Sequence, residues 1–323
     1  MIDEIRSRID SLAKPVGSLG QLEAIAFHLC DRQQSLAPRT QPRRLVIFAG
    51  DHGVVGSGVS AWLSPVTTAI AGAIRSGVAG SSVLAEITNT QLRLVDVGMT
   101  GTGIVRSGSR DLSLEPALTL DEFDRCWQIG VDEADRAKQV GCSVVAAGEI
   151  GIGNTTPASC LAMLLAEVPL DRAVGRGAGA DDAVLERKKQ IVSSAVERAR
   201  SRPINEAIAA VAGLEIAAVA GFLRRSAELG LVVVLDGFVV GAAALIAERF
   251  HPGTARHWLA AHRSAEPGHG DVLAHLGLEP LLDGWNLRLG EGTGALLLMP
   301  LLDAAAAMVT RMAALNDLLG NSK

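Results

Sequence analysis

Short β-branched segments alternate with longer helical ones, and this alternation constrains the fold more than any other feature of the sequence. The segments predicted to be buried strands are residues 44–49, 92–97, 143–147 and 231–235. Helical patterns lie between or after them, at residues 66–75, 120–140, 157–167, 182–200 and 237–249. Parallel strands need a long crossover connection, which is usually a helix. The pattern therefore predicts an α/β fold with a parallel, Rossmann-like sheet and helices on both faces.

The two ends of the chain show helical patterns and no strand pattern. Residues 2–34 and 295–319 are of this kind, and the polar turn at 35–42 is the nearest thing to a break between segments. We therefore expect residues 1–34 and 295–323 to form a small helical domain and residues 35–294 to form a large α/β catalytic domain.

Composition and charge exclude several classes of protein. The net charge is -5, aromatic residues make up 3% of the chain, and there is no Tyr. Neither a basic field nor a set of stacking platforms is therefore present, which argues against a nucleic-acid partner. The cysteines lie far apart without a CxxC pair, which predicts buried thiols in a reducing compartment; they are Cys30, Cys126, Cys142 and Cys160.

The apolar segments do not predict a membrane protein. The two longest, residues 231–247 and 295–309, are interrupted by Asp236 and by Pro300 with Asp303. Residues 1–10 alternate charged and apolar side chains, unlike a signal peptide. We therefore expect a cytoplasmic protein without a membrane partner.

Glycines cluster directly after the predicted strands, at residues 50–53, 148–153, 175–179 and 237. Loops at the carboxyl ends of parallel strands build the ligand crevice of such sheets. The sequence thus predicts that several distant loops form a single site.

The loop at 148–156 carries the strongest of these signals. It has glycine at 148, 151 and 153, and either Asn154 or Thr155 is suited to cap the helix that follows. A tight turn explains the cap alone, whereas backbone amides that approach an anion also require missing side chains. The pattern favours phosphate or ribose binding.

The loop at 175–179 and two charged residues allow two interpretations each. The glycines form either an anion nest or an ordinary turn. Lys188 lies in the next helix and either directs its charge toward this loop or belongs to a solvated face. Asp236, at a predicted strand end, either holds ribose hydroxyls or caps the next helix. A single acid at this position disfavours a magnesium diphosphate substrate, for which two adjacent acids are usual.

Two further segments carry polar groups that suit a site. Glu291 stands between Gly290 and Gly292, before a long apolar helix, which favours a general base beside a flat substrate over a simple macrodipole effect. Residues 262–269 contain two histidines and a glutamate, but not in metal-ligand spacing. We expect this segment to be a loop that donates hydrogen bonds through Ser264 or, alternatively, an exposed turn; no metal is predicted. The motifs of P-loop kinases, serine hydrolases and dinucleotide dehydrogenases are not found in the sequence.

Seven segments in order along the chain resemble the nicotinate-nucleotide:dimethylbenzimidazole phosphoribosyltransferase family. They include Lys-Pro-Val-Gly-Ser-Leu-Gly at 14–20, Phe-Ala-Gly-Asp-His-Gly-Val at 48–54 and the segment 287–295, which contains Leu-Gly-Glu-Gly-Thr-Gly. The other four are residues 148–156, 175–179, 235–238 and 262–269. The resemblance runs nearly from end to end.

This resemblance implies the reaction and the residues that serve it. The substrates are nicotinate mononucleotide and a benzimidazole-type base, the products are alpha-ribazole phosphate and nicotinate, and inversion occurs at the anomeric carbon. A homodimer with sites near the interface, and neither metal nor cofactor, are also implied. Glu291 corresponds to the general base, and Glu149 is a second catalytic position. The implied substrate-binding residues are Gly151, Gly153, Asn154, Thr155, Gly175, Arg176, Gly177, Gly179, Lys188, Asp236, Ser264, Gly290 and Gly292.

The base pocket departs from the family pattern. We expect it to contain Ala61, Trp62, Ala69, Ile150 and Leu289. Trp62 stands where many members have Tyr, Ala69 where a Gln is expected, and Ile150 where Met is frequent; Ala178 replaces a usual Thr of the glycine loop. The accepted base is therefore left open between dimethylbenzimidazole and adenine or a phenolic base. A non-catalytic nucleotide-binding protein is a third alternative.

Overall fold

The computed structural model describes residues 1–320, and its strands form one six-stranded sheet in the order β2-β1-β3-β4-β5-β6. Every neighbouring pair is parallel. The strands are β1 (Arg43–Gly50), β2 (Gln91–Gly98), β3 (Val144–Ile150), β4 (Val232–Leu235), β5 (Trp258–His262) and β6 (Pro280–Leu282). The predicted α/β class is confirmed.

Helices cover both faces of this sheet, as predicted. They are α1 (Ile2–Ser11), α2 (Gln21–Gln33), α3 (Pro65–Arg75), α4 (Gly80–Ile87), α5 (Leu120–Gln139), α6 (Thr155–Leu165), α7 (Leu170–Ala173), α8 (Asp182–Arg200), α9 (Ile204–Val211), α10 (Leu214–Glu228), α11 (Phe238–Phe250), α12 (His269–Leu276), α13 (Thr293–Arg311) and α14 (Leu315–Leu318). A short 3₁₀ helix, Gly53–Ser57, follows β1.

The sheet separates two hydrophobic cores. Val46 and Phe48 of β1 point into one core, which α5, α6, α10 and α11 complete. Leu45 and Ile47 point into the other, with α1, α2 and α13. Successive strand residues face opposite sides, so a strand buried on both faces is a continuous apolar run. All four cysteines are buried and free, as predicted.

The chain ends pack against each other and against the sheet. Ile5, Leu29 and Leu296 belong to one core together with the strand residues of that face. The guanidinium of Arg8 donates to the carbonyl of Val309 at 2.8 Å. Because these helices share their core with the sheet, a separate small domain stays a prediction, and its residues 321–323 lie outside the described part of the chain.

Helix α13 is long and apolar enough to cross a bilayer by composition alone. Most of it is buried, however, and Leu296, Leu298 and Leu302 are inaccessible to solvent. Asp303 lies on its outer side and pairs with Arg43 at 2.8 Å. These contacts are those of a core helix, although the segment is longer than the sequence pattern indicated.

Candidate active site

A cavity of about 430 Å³ opens at the carboxyl edge of the sheet. The residues that follow β3, β4 and β5 line it, together with the segment after the 3₁₀ helix, the start of α3, and the loops before α8 and α13. Three of the four glycine-rich segments, at 148–153, 175–179 and 237, thus meet at this cavity as predicted, whereas residues 50–53 do not line it. The predicted site residues that line the cavity are Ala61, Trp62, Glu149, Ile150, Gly151, Gly153, Asn154, Thr155, Arg176, Gly177, Ser264, Leu289, Gly290 and Glu291.

Glu291 is held in place by its backbone. It has φ +60°, in the left-handed region, and its amide donates to the carbonyl of Glu149 at 3.2 Å. A Cβ on Gly148 would lie 2.6 Å from the carbonyl carbon of Glu291, so only glycine lets this loop cross β3. The glutamate side chain is 4% exposed.

Asp236 holds the same loop by accepting hydrogen bonds from its backbone amides. Its Oδ2 accepts from the amide of Gly292 at 3.0 Å, and its Oδ1 accepts from the amides of Gly294 and Ala295 at 2.8 and 3.2 Å. The carboxylate therefore caps the N-terminus of α13, not the next helix α11 as one interpretation of the sequence had it. Asp236 does not line the cavity, and this geometry favours a positioning role over direct contact with a sugar.

Glu149 lies beside Glu291 in the cavity wall. Its burial raises its pKa well above the ordinary value, and the carboxylates of Glu215, Asp236 and Glu291 add to this rise. The side-chain amide of Asn154 donates to Glu149 and opposes the shift. Glu149 consequently keeps its proton to higher pH than an exposed glutamate does.

The side chain of Asn154 thus has a different role from the predicted cap. Asn154 occupies the N-cap position of α6, but its side chain makes no capping hydrogen bond. The predicted position is correct, whereas the amide group is used to bind the Glu149 carboxyl.

Close backbone packing accounts for Gly151, which we expected to be needed for the approach of a ligand. A Cβ at this position would collide with the carbonyl of Gly50 and lie 3.0 Å from Nε2 of His52. The His52 ring is buried below this loop, and its Nε2 lies 3.0 Å from Oε1 of the buried Glu215. Sequence reasoning did not find this pair, because Glu215 lies in an apolar segment far from the glycine loops.

Another part of the cavity wall has cationic groups, since Arg176 lines it and Lys188 lies behind it, and this part is called the cationic end. The Lys188 ammonium is 1% exposed and donates to Oγ1 of Thr155 at 2.8 Å and to the carbonyl of Gly175 at 3.1 Å. Lys188 is therefore directed toward the glycine loop and not toward a solvated face. Burial lowers its pKa to about 8, although the charge of Glu266 opposes this. Ser264 also lines the cavity, and its buried hydroxyl has no hydrogen-bond partner within residues 1–320.

Several predicted residues do not line the cavity. Gly175 and Lys188 are buried behind its surface, Gly179 is exposed to solvent outside it, and Gly292 is turned toward Asp236. Ala69 is exposed on α3, where Val66, Thr67 and Ile70 line the cavity instead.

Trp62 lies at the mouth of the cavity with its side chain 52% exposed. Its Nε1 donates to the carbonyl of Ala178 at 3.2 Å and so joins the segment before α3 to the glycine loop before α8. The remaining wall on this side is apolar and includes Ile70, Ile150 and Leu289.

Sequence reasoning missed part of the lining. Phe238 and Val239 line the cavity and directly follow the Asp236-Gly237 pair. Their position just after a predicted strand could have identified them as lining residues. Thr67, whose hydroxyl accepts from the Ile152 amide at 3.1 Å, had no such signal. In the part of the chain that the structure describes, no group of three or more His, Cys, Asp or Glu residues is arranged to hold a metal ion.

A family model described as "Phosphoribosyltransferase" matches residues 1–317. The chain belongs to this family. Among curated relatives, the nicotinate-nucleotide–dimethylbenzimidazole phosphoribosyltransferase of Mycobacterium tuberculosis is 41% identical over 324 residues, which is 97% of this chain and 89% of the relative. The protein of the same name from Ectopseudomonas mendocina is 41% identical over 320 residues, with 95% and 90% covered.

A solved structure gives the same assignment for this phosphoribosyltransferase. The crystal structure of CobT from Thermus thermophilus superposes with a TM-score of 0.94 at 39% identity, and the match covers 100% of this chain and 99% of that one. The resemblance that the motifs indicated is thereby confirmed along the whole chain.

Proposed function

We propose that this phosphoribosyltransferase transfers the phosphoribosyl group of nicotinate mononucleotide to dimethylbenzimidazole, giving alpha-ribazole phosphate and nicotinate with inversion. The names of its relatives support these substrates. The observation that carries the proposal is the Glu291 carboxyl, which lies in the wall of a cavity that also has apolar residues and nearby cationic groups. A flat apolar base and a phosphate can both find suitable groups in this one cavity, with a proton acceptor in its wall.

The cationic end suits the nucleotide phosphate. Arg176 and Gly177 line the cavity there, and the buried Lys188 ammonium lies directly behind Thr155. Ser264 lines the same cavity, and its buried hydroxyl has no partner among residues 1–320. A phosphate that accepts hydrogen bonds from the lining groups, with the charge of Lys188 nearby, recovers the hydrogen bonds that it loses on leaving water. The glycine loop from Gly151 to Gly153 then lies beside the ribose.

The apolar side suits the acceptor base, with Glu291 as the general base. One azole nitrogen attacks the anomeric carbon while the carboxylate accepts the proton from the other nitrogen. The bond to nicotinate breaks, and its electron pair returns to the pyridine nitrogen. Because a pyridinium leaves as a neutral pyridine, the glycosidic bond is already activated, and we expect no metal requirement. The proton on Glu291 then passes to solvent.

Glu149 has an auxiliary catalytic role in this proposal. Burial and the neighbouring carboxyl groups raise its pKa, which favours its neutral form and so disfavours a second negative charge near the proton acceptor. A neutral carboxyl can also donate a hydrogen bond to the bound substrate.

We also propose a cytoplasmic homodimer in which α4 contributes to the interface. Val83 and Ile87 lie one turn apart on α4 and are 45% and 75% exposed, and Val78 just before the helix is 72% exposed. The opposite side of α4 carries Ser81, which contacts Glu291. A partner that covers this apolar face would therefore lie close to the active site.

Adenine or a phenolic base is the alternative acceptor. The contacts of Trp62 favour dimethylbenzimidazole over adenine, because the indole lacks a hydroxyl and its N–H already donates to Ala178. A pocket with few free polar groups does not pair the ring nitrogens and amino group of adenine, which then lose hydrogen bonds to water.

A comparison of acceptors tests the assignment of dimethylbenzimidazole as the accepted base. We expect kcat/KM for dimethylbenzimidazole to exceed that for adenine and for a simple phenol by about tenfold or more, the amount that one unpaired buried polar group costs. The measurement is steady-state kinetics with saturating nicotinate mononucleotide and each acceptor varied in turn. A higher kcat/KM for adenine or the phenol would replace dimethylbenzimidazole as the acceptor, and nucleotide binding without turnover on any base would indicate a non-catalytic binder.

A further inference from the structure

Helix α4 directs a polar group at Glu291. The hydroxyl of Ser81 donates to Oε2 of Glu291 at 2.7 Å, and the backbone amide of Ser81 lies 3.5 Å from the same oxygen. Ser81 is fully buried. We propose that Ser81 is a positioning residue for the general base: it holds Oε2 and leaves Oε1 to accept the azole proton. This inference rests on the proposed function.

The two carboxylate oxygens of Glu291 have different surroundings. Oε2 receives a hydrogen bond from a hydroxyl and faces the N-terminus of α4, where backbone amides are unpaired and the helix dipole is positive. Oε1 makes no hydrogen bond to any residue from 1 to 320, although Glu291 lines the cavity. A carboxylate tethered by one oxygen loses its rotational freedom, and the other oxygen is then presented to the substrate in a single orientation.

The neighbouring serine shows what a purely structural hydroxyl does on the same helix. Ser82 donates to the carbonyl of Ile74 at 3.0 Å, a bond between α4 and the end of α3. The Ser81 hydroxyl, in contrast, bonds only to Glu291 among the side chains and backbone of the described residues. Ala85, one turn further on the same side of α4, is buried and apolar. The polar group thus occurs on this face only where Glu291 lies.

The start of α4 also contacts the base wall. A Cβ on Gly80 would lie 3.1 Å from Cδ2 of Leu289, so these two residues are packed closely. The first turn of α4 therefore contacts both the proposed general base and one side of the acceptor pocket. Loss of the Ser81 hydroxyl should affect the chemical step more than the binding of the nucleotide, which lies at the cationic end.

The test compares Ser81→Ala with Ser82→Ala. We expect Ser81→Ala to lower kcat about tenfold or more, in the range that misoriented catalytic groups cost, while KM for nicotinate mononucleotide stays within about twofold. Ser82→Ala, which loses a hydroxyl one position away, should leave kcat within about twofold of wild type. Circular dichroism and thermal unfolding check that both variants are folded.

A double-mutant cycle separates positioning from a structural effect. In a Glu291→Gln background, Ser81→Ala should cause almost no further loss, because there is no proton acceptor left to orient. A loss of equal size in both backgrounds, or an unchanged kcat of Ser81→Ala in the wild-type background, would overturn the proposal. If the wild-type chain does not form the riboside phosphate at all, the proposed function fails, and this role for Ser81 fails with it.

Discussion

Glu291 combines a rare backbone conformation with a buried carboxyl group, and the surrounding groups hold it in place. Its left-handed φ is fixed by two hydrogen bonds. The Glu291 amide donates to the carbonyl of Glu149, and the amide of the next residue, Gly292, donates to the Asp236 carboxylate. A non-glycine residue with this φ is uncommon and costs free energy unless its surroundings hold it. The fold thus keeps this one carboxylate in a fixed place at the cavity.

The first prediction at the residue scale concerns Glu291→Gln. We expect turnover to fall by about two to four orders of magnitude, the usual worth of a general base, with little change in the Kd of nicotinate mononucleotide. Steady-state kinetics and calorimetric titration of the nucleotide measure the two effects. Glu279→Gln, an exposed glutamate before β6, is the matched control. Turnover of Glu291→Gln within a few-fold of wild type would remove this residue from the role of base.

The second prediction follows from the pKa of Lys188, which burial lowers to about 8. Below pH 8 the ammonium is charged and attracts the phosphate; above it the free enzyme must take up a proton to bind. The affinity for nicotinate mononucleotide should therefore fall as pH rises through about 8. Titrations from pH 6.5 to 9.5 measure this. Lys188→Met should bind more weakly at pH 7 and lose the decline; an unchanged pH profile in this variant would assign the decline to another group.

The third prediction concerns Trp62 at the cavity mouth. Trp62→Ala should raise KM for dimethylbenzimidazole about tenfold or more, because loss of a stacked aromatic face typically costs more than about 1 kcal/mol, and should scarcely change KM for the nucleotide. Trp62→Phe keeps a ring but loses the bond to Ala178, so it separates stacking from that bond. Equal effects of Trp62→Ala on both substrates would show that Trp62 joins the two loops without contacting the base.

At the scale of elements, the sequence predicted helices best where their ends carry clear signals. The bounds of α8 are as predicted, because Asp181 caps its first turn through the Val184 amide and the charged face continues to Arg200. Helix α10, most of whose residues are buried, was missed, although the similarly buried helices α6 and α11 were predicted. Strands β5 and β6 were also not predicted. Strand β5 contains two alanines and no β-branched residue, and β6 is only three residues long and begins with Pro280, so neither has the pattern of a strand.

The candidate site, too, was predicted only where the sequence carries a local signal. Loops that directly follow strands were recognised, since glycine and polar residues there form the ligand crevice. Ser81 and the His52–Glu215 pair were not recognised as site residues, because they reach the site only through tertiary contacts over long sequence separations. Ala69 was assigned by alignment to the family pattern, but it lies on the exposed side of α3.

The start of α5 gives a prediction at this scale. Burial raises the pKa of Glu122, but hydrogen bonds from Arg110, the Thr119 amide and Arg106 outweigh this and bring its pKa to about 2. A carboxyl with a depressed pKa stabilises the fold above the unfolded value of 4.5, and this stability is lost as pH falls toward 2. Glu122→Gln should therefore destabilise the protein at pH 7 and less so at pH 3.

Urea unfolding at the two pH values measures this difference. Glu115→Gln, an exposed glutamate in the loop before α5, is the control and should have little effect at either pH. An effect of Glu122→Gln that is the same at pH 7 and pH 3 would mean that the carboxylate charge does not stabilise this helix start.

For the whole molecule, the proposed dimer predicts the effect of a charge on α4. Ile87→Arg should convert the dimer to a monomer, since an Arg at the centre of an apolar interface would be desolvated without a partner. Leu114→Arg, at an even more exposed leucine in the loop before α5, should leave the dimer intact. Light scattering coupled to size-exclusion chromatography measures the mass. A monomeric wild type, or a dimer that tolerates Ile87→Arg, would contradict the proposed interface.

The most direct test of the proposed reaction is to identify its product in the presence of a chelator. The chain is incubated with nicotinate mononucleotide, dimethylbenzimidazole and excess EDTA, and the products are analysed by mass spectrometry and by proton NMR of the anomeric position. We predict one equivalent of nicotinate for each riboside phosphate formed, with the riboside in the α configuration. A β-riboside, release of nicotinate without a riboside phosphate, or a strict requirement for added magnesium or zinc would contradict the proposed mechanism.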